Sequence, residues 1–410
     1  LSTYFNFIPA KNVKNFNKHA ALDLIRFTPG GISRVQLSQR LGLTRAGMSA
    51  IANDLLASKV IREIPGKPAN TGRPPITLEI NPGRGTVAGI DIGATHQSII
   101  IADCAAHVLE EKEAAHHIQQ GPQAGLDQAE AMLVELLGRL SLRIKDLLAI
   151  GVGVPGPVVS EAGMVLSPPI MPGWDRFPIR ATLEKRWGRP VSLNNDAELG
   201  AVGEWAYGAG RGVDNLAYIK VGTGVGAGLL LNGHIYRGAS GSAGEIGHIT
   251  IDENGRVCTC GNRGCLETLV GGTAIAFQAQ EAIRGGQPTQ LAEHQPHDQI
   301  TAAQVAAEAR RGDLAAQKIL SDAGAHLGIA IAGLVNLINP DMIVVGGGIA
   351  QIGDLFLEPV RKAVQDRSLS ASARTVRITT AMLGRRSIGL GAVVQALSLA
   401  LHRIADGKRS

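Results

Sequence analysis

Cysteine is scarce in this sequence, with four among 410 residues, and no disulfide framework can be read from so few. Long apolar runs are missing too. The most apolar stretch, residues 328–338, is too short to span a bilayer and runs into Asn339-Pro340, so a buried helix is expected there and no membrane partner. The first twenty residues lack the apolar core of a secretory signal, which makes the cytoplasm the expected compartment. Acidic residues are scarce at one end only. Residues 1–84 carry twelve Lys and Arg against four Asp and Glu, a net +8; the remaining twenty-eight against thirty-one leave residues 85–410 at a net −3. A basic head on a slightly acidic body suggests that the head meets a polyanion.

The few cysteines are not scattered. Cys258, Cys260 and Cys265 lie within eight residues, and His248 stands ten positions before the first of them. Three thiolates and one imidazole complete a tetrahedral shell for Zn²⁺. Gly255, Gly261 and Gly264 let so short a segment fold back on one ion. One structural zinc per chain is therefore expected, held by His248, Cys258, Cys260 and Cys265.

The head, residues 1–80, reads as three short helices and a hairpin. Apolar residues recur at helical spacing over 19–27, over 34–41 behind Ser33 as N-cap, and over 44–58 behind Thr44 as N-cap. Gly42 makes the turn between the second and third helices, as in a helix-turn-helix. Strands follow at 60–64 and 76–80, joined by a Gly/Pro-rich loop. That is a winged helix-turn-helix, whose expected partner is double-stranded DNA. The exposed start of the third helix, Thr44, Arg45 and Ser49, would enter the major groove with Arg34 beside it. Arg73, in the stiff loop 71–75, suits a narrow minor groove.

From residue 84 the pattern is α/β. Strands at 86–92, 97–102 and 107–113 form a meander, followed by a helix over 125–138 and strands at 147–154 and 190–194. A related layout begins again with a strand at 215–221, a glycine turn at 222–226 and a strand at 227–231. Two lobes opened in this way would face each other across a cleft. The last third reads as helical, with one strand at 342–345 ending in three glycines. Asp196, just past a strand, is a candidate helix N-cap.

The pattern H-x9-C-x-C-x4-C, preceded by Gly-Glu-Ile-Gly-His and followed by Gly-Cys-Leu-Glu, resembles the ROK family (repressor, open reading frame, kinase). The resemblance implies an actin-like, sugar-kinase two-lobed ATPase fold. Lobe 1 would span about 84–196 plus a returning helix at 388–404, and lobe 2 about 197–384. It further implies that Asn195, Asp196, Glu245, His248 and Glu267 hold sugar hydroxyls. By the same resemblance, Asp91, Gly93 and Thr95, then Gly222, Thr223 and Gly224, then Gly346 and Gly347 match an ATP site. In the family's kinases the aspartate matching Asp196 is the general base. The first phosphate loop departs from the kinase pattern, with Ala94 where a second glycine is usual and His96 after the threonine. The expected function is thus a sugar-responsive regulator, working as a homodimer or dimer of dimers. An ATP- and Mg²⁺-dependent sugar kinase is the alternative.

Overall fold

The computed structural model describes residues 10–66 and 76–407, with side chains from Asn15 onward. The head comprises α1 (Ala10–Phe27), α2 (Arg34–Leu41), α3 (Arg45–Ala57) and the antiparallel strands β1 (Ile61–Pro65) and β2 (Ile76–Ile80). Its boundaries follow from capping chemistry. Ser33 accepts from the backbone of Gln36 while the Gln36 side chain returns to Ser33, a reciprocal capping box. Gly42 ends α2 in the left-handed region at φ 64°, and Thr44 caps α3 through the Gly47 amide at 3.1 Å. The segment 71–75, with Arg73, lies outside the described residues.

Two five-stranded sheets follow, and they repeat one plan. The first contains β3 (Thr86–Ile92), β4 (His96–Asp103), β5 (Val108–Ala115), β6 (Leu147–Val154) and, after a short hairpin of β7 (Val158–Val159) and β8 (Met164–Val165), β9 (Val191–Asn195). The second contains β10 (Leu216–Val221), β11 (Val225–Leu231), β12 (His234–Ile235), β13 (Met342–Gly346) and β14 (Arg377–Thr380). The orders are β5-β4-β3-β6-β9 and β12-β11-β10-β13-β14. In each, an antiparallel meander of three is extended by two parallel strands. The register places Asp91 on β3 opposite Gly153 of β6, and Lys220 on β10 opposite Gly346 of β13. Asp91 and Lys220 therefore occupy equivalent positions in the two lobes. β14 corrects the expectation of one strand in the last third; its four residues are too few to show alternation.

Helices cover the sheets: α4 (Gly121–Arg139), α5 (Ile179–Trp187) and α6 (Asp196–Tyr207) in the first half, then α7 (Glu267–Val270), α8 (Gly272–Arg284), α9 (Ala302–Arg310), α10 (Leu314–Ile338), α11 (Asp354–Arg367) and α12 (Ser370–Thr375). The last, α13 (Ser387–Ala405), returns to the first sheet and crosses α6. The crossing is close because glycines sit in it. A Cβ at Gly203 would run into the Ser387 carbonyl, and one at Gly391 into that of Leu199. Buried Glu204 fixes the approach to α13 by accepting from the amides of Ala209, Met382 and Leu383 and from the Ser387 hydroxyl, at 2.7–3.1 Å. Residues 328–338 belong to the 25-residue α10, so the short apolar stretch is part of a longer helix. α10 and the segment 384–405 are long and apolar enough to cross a membrane, but 56% and 72% of their apolar windows are buried inside the protein, as in core helices.

Head and body share one core. Leu22, Ile25, Leu37, Met48, Leu55 and Leu78 of the head form a single apolar cluster with Val87, Ile100, Leu148, Val393, Leu397 and Leu401. Polar contacts bind its rim: Lys18 donates to the Ala405 carbonyl at 3.0 Å, and Arg26 to the Ser398 hydroxyl and the Val394 carbonyl at 2.8 and 2.9 Å.

Candidate ligand cleft and metal centre

A cleft of about 1080 Å³ opens between the lobes. Asn195, Asp196, Glu245, His248 and Glu267, all anticipated from sequence, line it together. Asn195, not Asp196, is the N-cap of α6, since its carbonyl oxygen accepts from Ala197 and Glu198. Its amide also donates to the Gly156 carbonyl at 2.9 Å, so much of this side chain is engaged within the protein. Asp196 is the first helical residue, buried, and lines the cleft. Glu267 accepts from the Val225 amide at 2.9 Å, and a Cβ at Gly224 would collide with its carboxylate. The glycine turn of lobe 2 is thus shaped partly to admit Glu267.

The other glycine positions divide. Thr95, Gly222, Thr223, Gly224 and Gly347 line the cleft, whereas Asp91, Gly93 and Gly346 do not. A Cβ at Gly346 would strike the Tyr218 hydroxyl, which gives that glycine a packing reason. Gly93 closes a tight hairpin by donating to the His96 carbonyl at 2.9 Å. The Ala94 methyl packs on the apolar core of lobe 1, and the Ala94 and Thr95 carbonyls accept from Ile118 and His116. This loop is pinned by its own contacts.

Three charged cleft residues, Lys220, Glu198 and Arg385, were not anticipated as site residues. Lys220 forms an ion pair with Asp196. Burial works against its charge, but Asp196 and Asp91 more than offset this and hold its pKa above the ordinary lysine value. Glu198 is buried, which raises its carboxyl pKa despite Arg237 at 3.1 Å. Arg385, in the loop before α13, pairs with Glu113 on β5 at 2.5 Å. The signal available for Lys220 was a lone charge in the otherwise apolar strand Leu216–Val221.

The cysteine cluster sits on the rim. The donor atoms of His248, Cys258, Cys260 and Cys265 all lie within 4.8 Å of one another, so this is a group that could hold a metal ion. Cys260 and Cys265 sulfurs are 3.7 Å apart, and Cys258 sulfur is 3.6 Å from His248 Nδ1. A tetrahedron with Zn–S of about 2.3 Å and Zn–N of about 2.0 Å has edges of about 3.8 and 3.5 Å. The donor set therefore fits zinc. Burial and the neighbouring thiols push the Cys265 thiol up to about 12, a crowding that a cation would relieve. With Nδ1 facing the sulfurs, His248 Nε2 is turned towards Glu245, at 4.0 Å.

In the head, Thr44 and Arg45 are exposed and Ser49 is half-buried on the same helix, whose other face holds Met48, Ile51 and Leu55. Arg34 is paired with Glu63 at 2.7 Å.

The profile described as ROK family matches residues 87–398. The chain is 30% identical over 367 residues to the xylose repressor of Caldicellulosiruptor bescii, covering 90% of this chain and 92% of that protein. Its fold is similar to a crystal structure described as a ROK family transcriptional regulator, homologous to the Escherichia coli MLC protein: TM-score 0.82, 28% identity, 96% of this chain and 100% of the other. A ROK family glucokinase from Streptomyces griseus, solved with glucose and AMPPNP, gives a TM-score of 0.69 at 29% identity, covering 76% of this chain and 99% of its own.

Proposed function

The chain belongs to the ROK family, and from that premise we propose a sugar-responsive transcriptional repressor of carbohydrate metabolism, acting in the cytoplasm. A sugar enters the interlobe cleft, and its presence changes how the helix-turn-helix engages an operator. The observation that carries this reading is the core common to head and body. A change of lobe angle moves a surface on which the head is solidly seated. Sugar shifts the operator-binding state only by its difference in affinity for the two lobe arrangements.

Residues 1–80 act as the DNA reader and 84–410 as the sensor. Within the sensor, Asp196, Glu245 and Glu267 accept hydrogen bonds from sugar hydroxyls, Asn195 contributes its remaining amide hydrogen, and His248 adds Nε2. His248, Cys258, Cys260 and Cys265 hold one structural Zn²⁺, whose work is to fix the loop carrying Glu245, His248 and Glu267. Thr44, Arg45 and Ser49 meet bases in the major groove, Arg34 joins once it is released from Glu63, and Arg73 reaches the minor groove. A homodimer presents two such heads to two half-sites.

The test is a panel of neutral sugars screened by melting temperature, since a bound ligand stabilises by mass action. The stabilising sugar is then titrated into the protein–operator complex under fluorescence anisotropy. A sugar that shifts both curves supports the sensor. Sugar-dependent ADP release at a steady rate would instead make the chain a kinase.

A further inference from the structure

Lys220 deepens this reading and rests on it. Asp91 is 1% exposed, and neither carboxylate oxygen has a hydrogen-bond partner among the described residues. Its compensation is by charge: His96 Nε2 stands 3.6 Å from it, and Asp91 is close enough to Lys220 to stabilise its ammonium. The same lysine is ion-paired with Asp196, itself 5% exposed. Asp91 stands one residue before the end of the first strand of lobe 1 and Lys220 at the equivalent position of lobe 2, so the charge interaction links the two lobes. Two buried carboxylates brought towards one point make a seat for a hard cation, which takes oxygen ligands. Here an ammonium fills that seat, and its charge repels any divalent ion brought beside it.

We propose that Lys220 occupies the place that a divalent metal would take between Asp91 and Asp196, so that the cleft takes an uncharged sugar without metal or nucleotide. Lys220 is a positioning residue. By engaging one oxygen of Asp196 it holds that carboxylate as an acceptor for a sugar hydroxyl and opposes its use as a base. Mg²⁺-ATP does not fit this arrangement, because its metal seat is filled and the loop carrying Ala94 is pinned. The lobes are also drawn together by a bond internal to the chain, which leaves the sugar to set the final angle.

Mn²⁺ is the probe, followed by the loss of its free electron paramagnetic resonance signal in zinc-replete protein, alone and with AMPPNP. Wild type and Lys220→Arg are expected to bind no Mn²⁺ at submillimolar concentration, with or without the nucleotide. Lys220→Met should gain one site, at least tenfold tighter, that is lost again in Lys220→Met/Asp91→Asn. A merely structural lysine would not produce that gain and loss. If Lys220→Met does not fold, Lys220→Gln, which keeps a donor for Asp196, is measured in its place. Wild-type binding of Mn²⁺ as tight as the variant's, or no gain on removing the lysine, overturns the proposal. So does a sugar-induced melting shift that requires Mg²⁺ and nucleotide. Failure of every sugar to bind would instead defeat the sensor reading, while the Mn²⁺ measurement still judges Lys220.

Discussion

The imidazole of His19, in the head, lies flat on that of His402, in α13, with centroids 4.1 Å apart and planes within 4°. Each ring reaches past the other to a carboxylate on the opposite helix: His19 to Asp406 at 2.9 Å and His402 to Asp23 at 3.2 Å. The four side chains form a crossed brace between head and body. A double-mutant cycle with His19→Ala and His402→Ala should give a coupling of about 0.5–1.5 kcal/mol in urea unfolding. The double variant should also show a weakened effect of sugar on operator affinity. Strict additivity in both measurements would leave the brace without a role.

Metal content comes next. Elemental analysis should find about one zinc per chain, as a complete four-ligand set requires. Cys260→Ser should lose it and lower both melting temperature and sugar affinity, because Glu245, His248 and Glu267 border the same loop. A metal-free Cys260→Ser protein that binds sugar as wild type does would separate the centre from the cleft.

For Asp196, the expected cost of Asp196→Asn is one charge-assisted hydrogen bond, about 1.5–3 kcal/mol. Sugar affinity measured by calorimetry should fall one to two decades, at about 1.4 kcal/mol each. The response of operator binding to sugar should then require correspondingly more sugar. Unchanged affinity together with abolished ADP release would assign Asp196 to catalysis.

His96 gives a pH signature. The Asp91 carboxylate, 3.6 Å away, raises its pKa above the unfolded value despite burial. The folded state therefore holds the proton more tightly, and the stabilisation is complete below the unfolded pKa of about 6.5. It is lost as pH rises through the folded value. The stability difference between wild type and His96→Gln, measured by urea unfolding across pH 5.5 to 8.5 (roughly the histidine range), should be largest at the acid end and shrink upward. A difference that grows with pH would contradict the Asp91 pairing.

In the head, Arg45→Ala should cost about 1–3 kcal/mol on the preferred operator and relax its sequence preference, if Arg45 reads a guanine. Arg73→Ala should weaken binding more evenly across sequences. Competition anisotropy with scrambled duplexes distinguishes the two patterns, and equal loss on all duplexes for Arg45→Ala would remove it from base readout.

Much of the body was legible because its strands are short apolar runs closed by glycine, and the caps Ser33 and Thr44 announce their helices directly. The cysteine cluster was legible from spacing alone. Lys220 was not, since a single lysine in a strand reads as a solvent-facing residue until the opposite lobe is in place. Asn195 and Asp196 were told apart only by backbone geometry, because either residue type caps a helix well. Arg34 gave no hint of Glu63, which lies on another element. Nor does the 3.6-residue pattern of α1 say what covers its apolar face; that partner, α13, comes from the far end of the chain.

The common core of the head and α13 has a consequence for how such a protein can be rebuilt. A reader joined to a sensor by a slack linker could be exchanged for another like a bead on a string. Here the first and last described helices are one mechanical part, so a transplanted head must bring a matching α13 face with it. On the proposed function, news of the cleft would arrive at the operator as the tilt of a solid, and lengthening the chain between residues 80 and 86 should do little to muffle it.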